Sequence, residues 1–297
     1  MPLKSILKTW AMQIRAPFLL LSVLLVAIGG AVAKYDHKFS LPRFLLCLVG
    51  VTFAHIAVNL FNEVSDFRTG IDRKTRRTPF SGGSGNLPDG ATSVRAVRAA
   101  AILTLTVAAL IGLYLAMVAG LRVAVFACAG AVAILLYTPL LSRWGIGEAT
   151  AGLCLGSLVV AGTYFAITGT LTLNVLLLSA PPGILTALLL LLNEFPDVAA
   201  DLAGGRKHLV IRLGYRGASM VYIGSLALSY VILIAGVWTH LFPWPTLLAC
   251  LTVPLSIIVS RDVFRAGEDF RFLVPMLGKN VIIVLGTDLL MAIGYLL

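Results

Sequence analysis

Nine stretches of roughly 20 mostly apolar residues run through this chain, and a stretch of that length is what a helix needs to cross a bilayer. They lie at about 16–34, 42–61, 94–118, 121–139, 149–169, 172–192, 217–238, 244–260 and 275–296. Hydrocarbon offers no water to backbone N–H and C=O groups, so each stretch is predicted to be helical. The expected architecture is an all-α membrane protein, one transmembrane domain over residues 1–297. Nine transmembrane helices surround a central cavity, and loops at about 62–93 and 193–216 cap it. Composition agrees: 59% of the residues are hydrophobic and 12% are charged, outside the usage of soluble domains. The first stretch follows an amphipathic basic segment (Lys4, Lys8, Arg15) and lacks a small-residue cleavage site, so it is expected to be retained.

Basic residues orient such a chain, because the loops that stay inside carry the excess of Lys and Arg. With the N-terminus placed inside, only Lys34, Lys38, Arg43 and Arg122 of the 23 Lys and Arg fall outside. The N-terminus and both capping loops are therefore expected on the cytoplasmic side, and the C-terminus outside. The net charge of +10 does not point to nucleic acid, since the cations flank membrane segments and form no basic stripe with interleaved aromatics. Cys47, Cys128, Cys154 and Cys250 are isolated and lack metal-ligand spacing, so they read as small hydrophobes.

Against this apolar background the acids stand out. Six of the 13 Asp and Glu fall in two short segments, "NEVSDFRTGID" at 62–72 and "NEFPDVAAD" at 193–201, each at the inner end of a span. A continuing helix would place Asn62 and Asp66 on one face, with Gly70 free to turn the chain and bring Asp72 back. Asn193, Asp197 and Asp201 would form a similar stripe. Carboxylates gathered at a bilayer boundary repel one another and resist desolvation, so they need cations or a wet cavity. Hard oxygen ligands combined with substrate phosphate describe how proteins hold Mg²⁺.

Each acidic segment has a basic tail, "DRKTRRT" at 72–78 and "GRKHL" at 205–209. Lys and Arg beside metal-bound carboxylates can grip a diphosphate and stabilise departing pyrophosphate. The competing reading is that they only obey the positive-inside rule.

Two Asn-Glu-x-x-Asp motifs and nine spans together resemble the UbiA superfamily of intramembrane prenyltransferases, over nearly the whole chain. The Gly70-x-Asp72 form of the first motif is most similar to the menaquinone-pathway branch that prenylates 1,4-dihydroxy-2-naphthoate; Glu63 departs from the Asp that many relatives carry there, keeping the charge but lengthening its reach. The resemblance implies the UbiA-type fold and Mg²⁺-dependent transfer (Mn²⁺ as a possible substitute) of a polyprenyl group from its diphosphate to an aromatic acceptor. It implies Asp66, Asp72, Asp197 and Asp201 as metal ligands and catalytic residues, with Asn62 and Asn193 as direct or outer ligands. Lys74, Arg77, Arg206 and Lys207 would contact phosphate. Tyr137 is expected in the cavity wall, where relatives carry a Tyr, or else in an interfacial belt.

Remaining features divide between function and packing. His55 lies mid-span and reads as a packed histidine; His208 lies nearer the motifs or in a solvated loop. "TPFSGGSGNLPDG" at 78–90 is too Gly-rich for a helix and suits a lid, a phosphate-facing loop or a linker. Pro181-Pro182 is expected to kink span six. Arg15 and Arg265 read as exposed cations far from the motifs. The alternatives are a related enzyme with a non-aromatic acceptor such as geranylgeranylglyceryl phosphate, a terpene cyclase, or a cation transporter. A transporter would place its acids near the bilayer midplane.

Overall fold

The computed structural model describes residues 3–267 and 269–297, and among these the chain is helical with no strand. Among the described residues, nine helices are long and apolar enough to span a membrane: Ala16–Tyr35, Leu41–Thr69, Val94–Ala119, Val123–Trp144, Gly147–Thr168, Leu173–Asn193, Leu209–Trp238, Trp244–Ala266 and Arg271–Leu296, numbered here as spans one to nine. They match the nine apolar stretches to within a few residues at most ends. A helix that must bury its own backbone has little freedom about where it begins and ends.

Two ends differ most, by eight residues each, and both matter. Span two runs on to Thr69, so the first acidic motif rides on the end of the transmembrane helix rather than in a loop. Span seven begins at Leu209, with a break at Gly214 (φ 68, ψ 170), so a helical turn replaces part of the expected loop 193–216. Span six stays helical through Pro181 and Pro182. Ser157 Oγ donates to the Ser179 carbonyl at 2.9 Å, which satisfies a backbone group near the missing proline N–H donors.

The spans form a closed ring in which neighbours in sequence touch, span nine returns to span one, and span one also packs on span five. Helices in lipid gain little from apolar contact alone and associate through close backbone approach and buried hydrogen bonds. Both are present. A Cβ on Gly156 would stand 2.5 Å from the Gly183 Cα, so spans five and six meet backbone to backbone beside the double proline. Tyr222 donates to Asn280 Oδ1 at 2.8 Å, and the Tyr230 hydroxyl lies 2.7 and 2.8 Å from those of Ser256 and Thr252. These bonds tie spans seven, eight and nine together. Leu121, Met117 and Trp244 lie on the outside, as a lipid-facing surface requires.

The cavity is narrower in origin than a space central to all nine helices. Spans one to six wall it, and its volume is about 340 Å³. Spans seven to nine belong instead to the main packed core, with Leu233, Leu273 and Ile283 fully buried. The cavity runs from Leu46 to Asn62 along span two, about 24 Å at the helical rise per residue.

Candidate active site

Both acidic motifs sit at the end of that cavity where spans two, four and six finish, and their surroundings explain their shape. Asn62, Glu63 and Asp66 lie on one continuous helix. Gly70 ends it in the left-handed conformation (φ 77), and the following turn, Ile71–Lys74, folds Asp72 back into a buried position. The second motif is not the single stripe expected of it. Span six stops at Asn193, residues 194–197 form turns, and a new short helix, Val198–Ala203, carries Asp201. The two halves meet where Ile71 packs on Gly204, whose absent side chain leaves the room.

Arg206 holds the motifs together. Its guanidinium donates to Asp201 Oδ1 at 2.9 Å, to Asn62 Oδ1 at 3.0 Å, and to Asp66. Burial works against its charge, and the carboxylates of Asp66 and Asp201 outweigh that cost and hold it protonated. Asn62 Oδ1 also accepts from Thr138 Oγ1 at 3.3 Å. Other oxygens have no partner: Asp72 Oδ2, Asn193 Oδ1 and Asp197 Oδ1 are all buried and unbonded. Burial, then the Asp66 and Glu63 charges, push the Asp72 carboxyl up to about 7. Burial and Asp201 push that of Asp197 up to about 8. Unbonded buried oxygens on groups that resist ionising are what a hard cation relieves, so this donor set fits Mg²⁺.

The other expected phosphate contacts are dispersed. Arg77 pairs with Asp89 at 3.2 Å on the exposed loop. Lys74 and Lys207 are exposed, and among the described residues neither forms an ion pair. Tyr137 lines the cavity and opens a π-helical turn, Tyr137–Leu141, of the kind often found at functional sites. His55 is buried in the cavity wall with Nδ1 2.7 Å from Ser22 Oγ, a packed and satisfied histidine.

Residues 78–90 fold over the first motif. A Cβ on Gly83 would come 2.8 Å from Asp72 Oδ1, and Ser84 donates its N–H and hydroxyl to Glu63. Asn86 Nδ2 reaches the Thr9 carbonyl at 2.9 Å, so the N-terminal helix, Leu3–Gln13, staples this loop down.

Two features escape a reading of the sequence. Arg15 is not a remote surface cation: it adopts a left-handed conformation (φ 53), turns the N-terminal helix into span one, and lines the cavity. Its charge also opposes the upward shifts of Asp72 and Asp197. The second is a group in which Glu194 of the second motif meets Glu148 and His208, the three drawn from different spans or their caps. Glu194 stood in the second motif, but its partners were hinted at by no more than an acid in "GIGEAT" and a histidine in "GRKHL". Burial and the neighbouring Glu148 charge push the Glu194 carboxyl well above its ordinary range.

Residues 23–271 match the UbiA prenyltransferase family. A 1,4-dihydroxy-2-naphthoate octaprenyltransferase of Bacillus subtilis is 30% identical, over 84% of this chain and 80% of that one. A 2-carboxy-1,4-naphthoquinone phytyltransferase of Synechocystis is also 30% identical, over 86% of this chain and 82% of its own length. Among solved structures, a UbiA homolog from Archaeoglobus fulgidus bound to GPP and Mg²⁺ superposes with a TM-score of 0.60 at 16% identity, covering 95% of this chain and 99% of that one.

Proposed function

The chain belongs to the UbiA prenyltransferase family and is an integral membrane prenyltransferase; from that premise we propose that its acceptor is 1,4-dihydroxy-2-naphthoate or a similar aromatic quinone precursor. The donor is a polyprenyl diphosphate and the product carries the prenyl group on a ring carbon, with pyrophosphate released. One observation supports this reading above the rest. A single cavity joins an apolar channel, suited to a lipid tail, to a polar end lined by Asn62, Tyr137, Asn193 and Arg15, directly beside the two acidic motifs.

The donor's tail would lie along spans two to five, with C1 at the polar end. Asp66, Asp72, Asp197 and Asp201 would hold Mg²⁺, with Asn62 and Asn193 beside them; the buried, unbonded oxygens of Asp72 and Asp197 support this. When bound, Mg²⁺ neutralises the diphosphate and favours departure of pyrophosphate. Arg206 lies between the motifs and would move its donors from Asp66 and Asp201 to phosphate oxygens, where charge develops as the C1–O bond breaks. Lys74, Arg77 and Lys207 lie farther out and would assist capture of the diphosphate rather than its cleavage. The bonding pair leaves with pyrophosphate, and an electron-rich ring carbon of the acceptor forms the new bond to C1. That carbon then regains aromaticity by releasing the substituent it carried, as a proton or, from a ring carboxylate, as carbon dioxide. Tyr137 and the apolar wall would shield the allylic cation from water. The bias of Lys and Arg supports an orientation with this end of the protein in the cytoplasm and the C-terminus outside.

The test is to incubate purified protein and Mg²⁺ with geranylgeranyl diphosphate and, separately, dihydroxynaphthoate, 4-hydroxybenzoate, homogentisate and geranylgeranylglyceryl phosphate. Product masses identify the acceptor. A prenylated naphthalene product is expected; exclusive prenylation of the glyceryl phosphate, or cyclised donor with no acceptor, would overturn the assignment.

A further inference from the structure

Glu148, Glu194 and His208 form a second polar group whose chemistry differs from that of the aspartates. Each offers a ligand atom, and these atoms all lie within 4.8 Å of one another; among the described residues they are the one group of three or more His, Cys, Asp or Glu this close. Glu148 and His208 are 3% and 2% exposed. Glu148 Oε2, Glu194 Oε2 and both ring nitrogens of His208 are buried without a hydrogen-bond partner. A fully buried imidazole with neither nitrogen satisfied is costly, and its position beside two carboxylates identifies what would satisfy it.

We propose that Glu148, Glu194 and His208 bind a transition-metal dication such as Zn²⁺ or Mn²⁺, at a site separate from the diphosphate-binding aspartates. Imidazole nitrogen combined with carboxylate suits zinc, manganese or cobalt, whereas Mg²⁺ favours an all-oxygen shell. Two carboxylates match the charge of the ion, and three protein ligands leave one tetrahedral position for another donor. Glu148 is already held in place, because its Oε1 accepts the Leu209 N–H at 2.6 Å.

The site would also act on its neighbour. His208 Nδ1 faces Glu194 Oε2 at 3.7 Å and Nε2 faces Asp201 Oδ2 at 3.4 Å, so the ring stands between the two groups. With the ion on Nδ1, the ring proton would sit on Nε2, from which a small rotation of the ring brings it onto Asp201 Oδ2 at 3.4 Å, the arrangement by which metal-bound histidines orient a carboxylate. His208 is thus a positioning residue for the second motif. The ion would clip the start of span five, the end of span six and the start of span seven to one another.

Metal retention tests this without prenyl turnover, so it stands or falls separately from the acceptor assignment. Purified full-length protein is stripped with chelator, given Zn²⁺ in the presence of excess Mg²⁺, desalted and assayed for metal. About one zinc ion per chain should be retained, with a raised melting temperature, as a ligand bound only to the folded state requires. Glu148→Gln and His208→Gln should each lose most of that zinc and the thermal shift. Should either variant fail to fold, the electron spin echo of Mn²⁺ retained by the wild-type protein decides: modulation from a coordinated imidazole nitrogen supports the site. No retained ion, no imidazole signal, or folded variants that hold as much zinc as wild type would overturn it.

Discussion

Replacing Arg206 with Gln perturbs the one cation that bridges both motifs. The guanidinium makes hydrogen bonds to Asp201, Asn62 and Asp66, and its side chain is only 16% exposed. Gln is neutral and shorter, and cannot reach all three acceptors. Asp66 and Asp201 would then lack their shared counter-charge. Removing one member of a buried ion pair typically costs about 3–5 kcal/mol, because the partner stays buried and charged. Mg²⁺ can supply that charge, so the loss of thermal stability should be large in chelator and small in Mg²⁺. Catalysis should not recover in the same way, since metal cannot replace a directional donor to the leaving group. Loss of one positioned electrostatic donor lowers rates by about 10- to 1,000-fold. The assay is single-turnover prenyl transfer at saturating Mg²⁺, read beside melting curves with and without metal. Arg77→Gln breaks only the pair with Asp89, whose members are 37% and 65% exposed, and should leave the rate within about twofold. Arg265→Gln, exposed on span eight, is the control; Arg15 cannot be one, because it lines the cavity. A rate for Arg206→Gln within about twofold of that control would refute the bridging role and reduce the basic tails to topology signals.

Other outcomes follow from the same geometry. Asp66→Asn and Asp197→Asn should each abolish most turnover while the protein still folds, checked by activity against melting temperature; wild-type rates would remove these residues from the site. Chelator should stop turnover and added Mg²⁺ restore it, because the unbonded oxygens of Asp72 and Asp197 need a cation before diphosphate can approach. Asp72 and Asp197 titrate near 7 and 8, above the ordinary carboxyl range, so the folded metal-free protein holds more protons than the unfolded chain. Its stability should therefore fall as pH rises from about 4 through 8, while Mg²⁺ affinity rises over the upper part of that range; melting curves at pH 5 and pH 8.5, with and without Mg²⁺, check the sign. Gly83→Ala adds a Cβ at φ 71 and 2.8 Å from Asp72 Oδ1, so it should strain the capping loop and slow turnover, whereas Gly90→Ala, strained alike but with open space around it, should not slow it.

The spans and the motifs were legible in the sequence because lipid makes both conspicuous. Backbone must be satisfied within each crossing segment, so a run of about 20 apolar residues is nearly a complete description of its structure. Acids are so costly beside hydrocarbon that two clusters at helix ends announce a site before any geometry is known. Gly70 likewise signalled the turn that buries Asp72, a local matter of backbone sterics. Contacts between distant segments were decided only by the tertiary structure. Among six basic residues in the two tails, nothing local distinguishes Arg206, which spans the motifs, from Arg77, which binds its own loop. Arg15 is separated from Asp72 by the whole of spans one and two, and a left-handed turn brings it to the cavity. Glu148, Glu194 and His208 share no motif, because three spans had to pack before their side chains could meet. Hydropathy is a sum over neighbours in sequence and therefore survives unfolding; the arrangement of a charged site depends on how helices pack side by side, and exists only once they have.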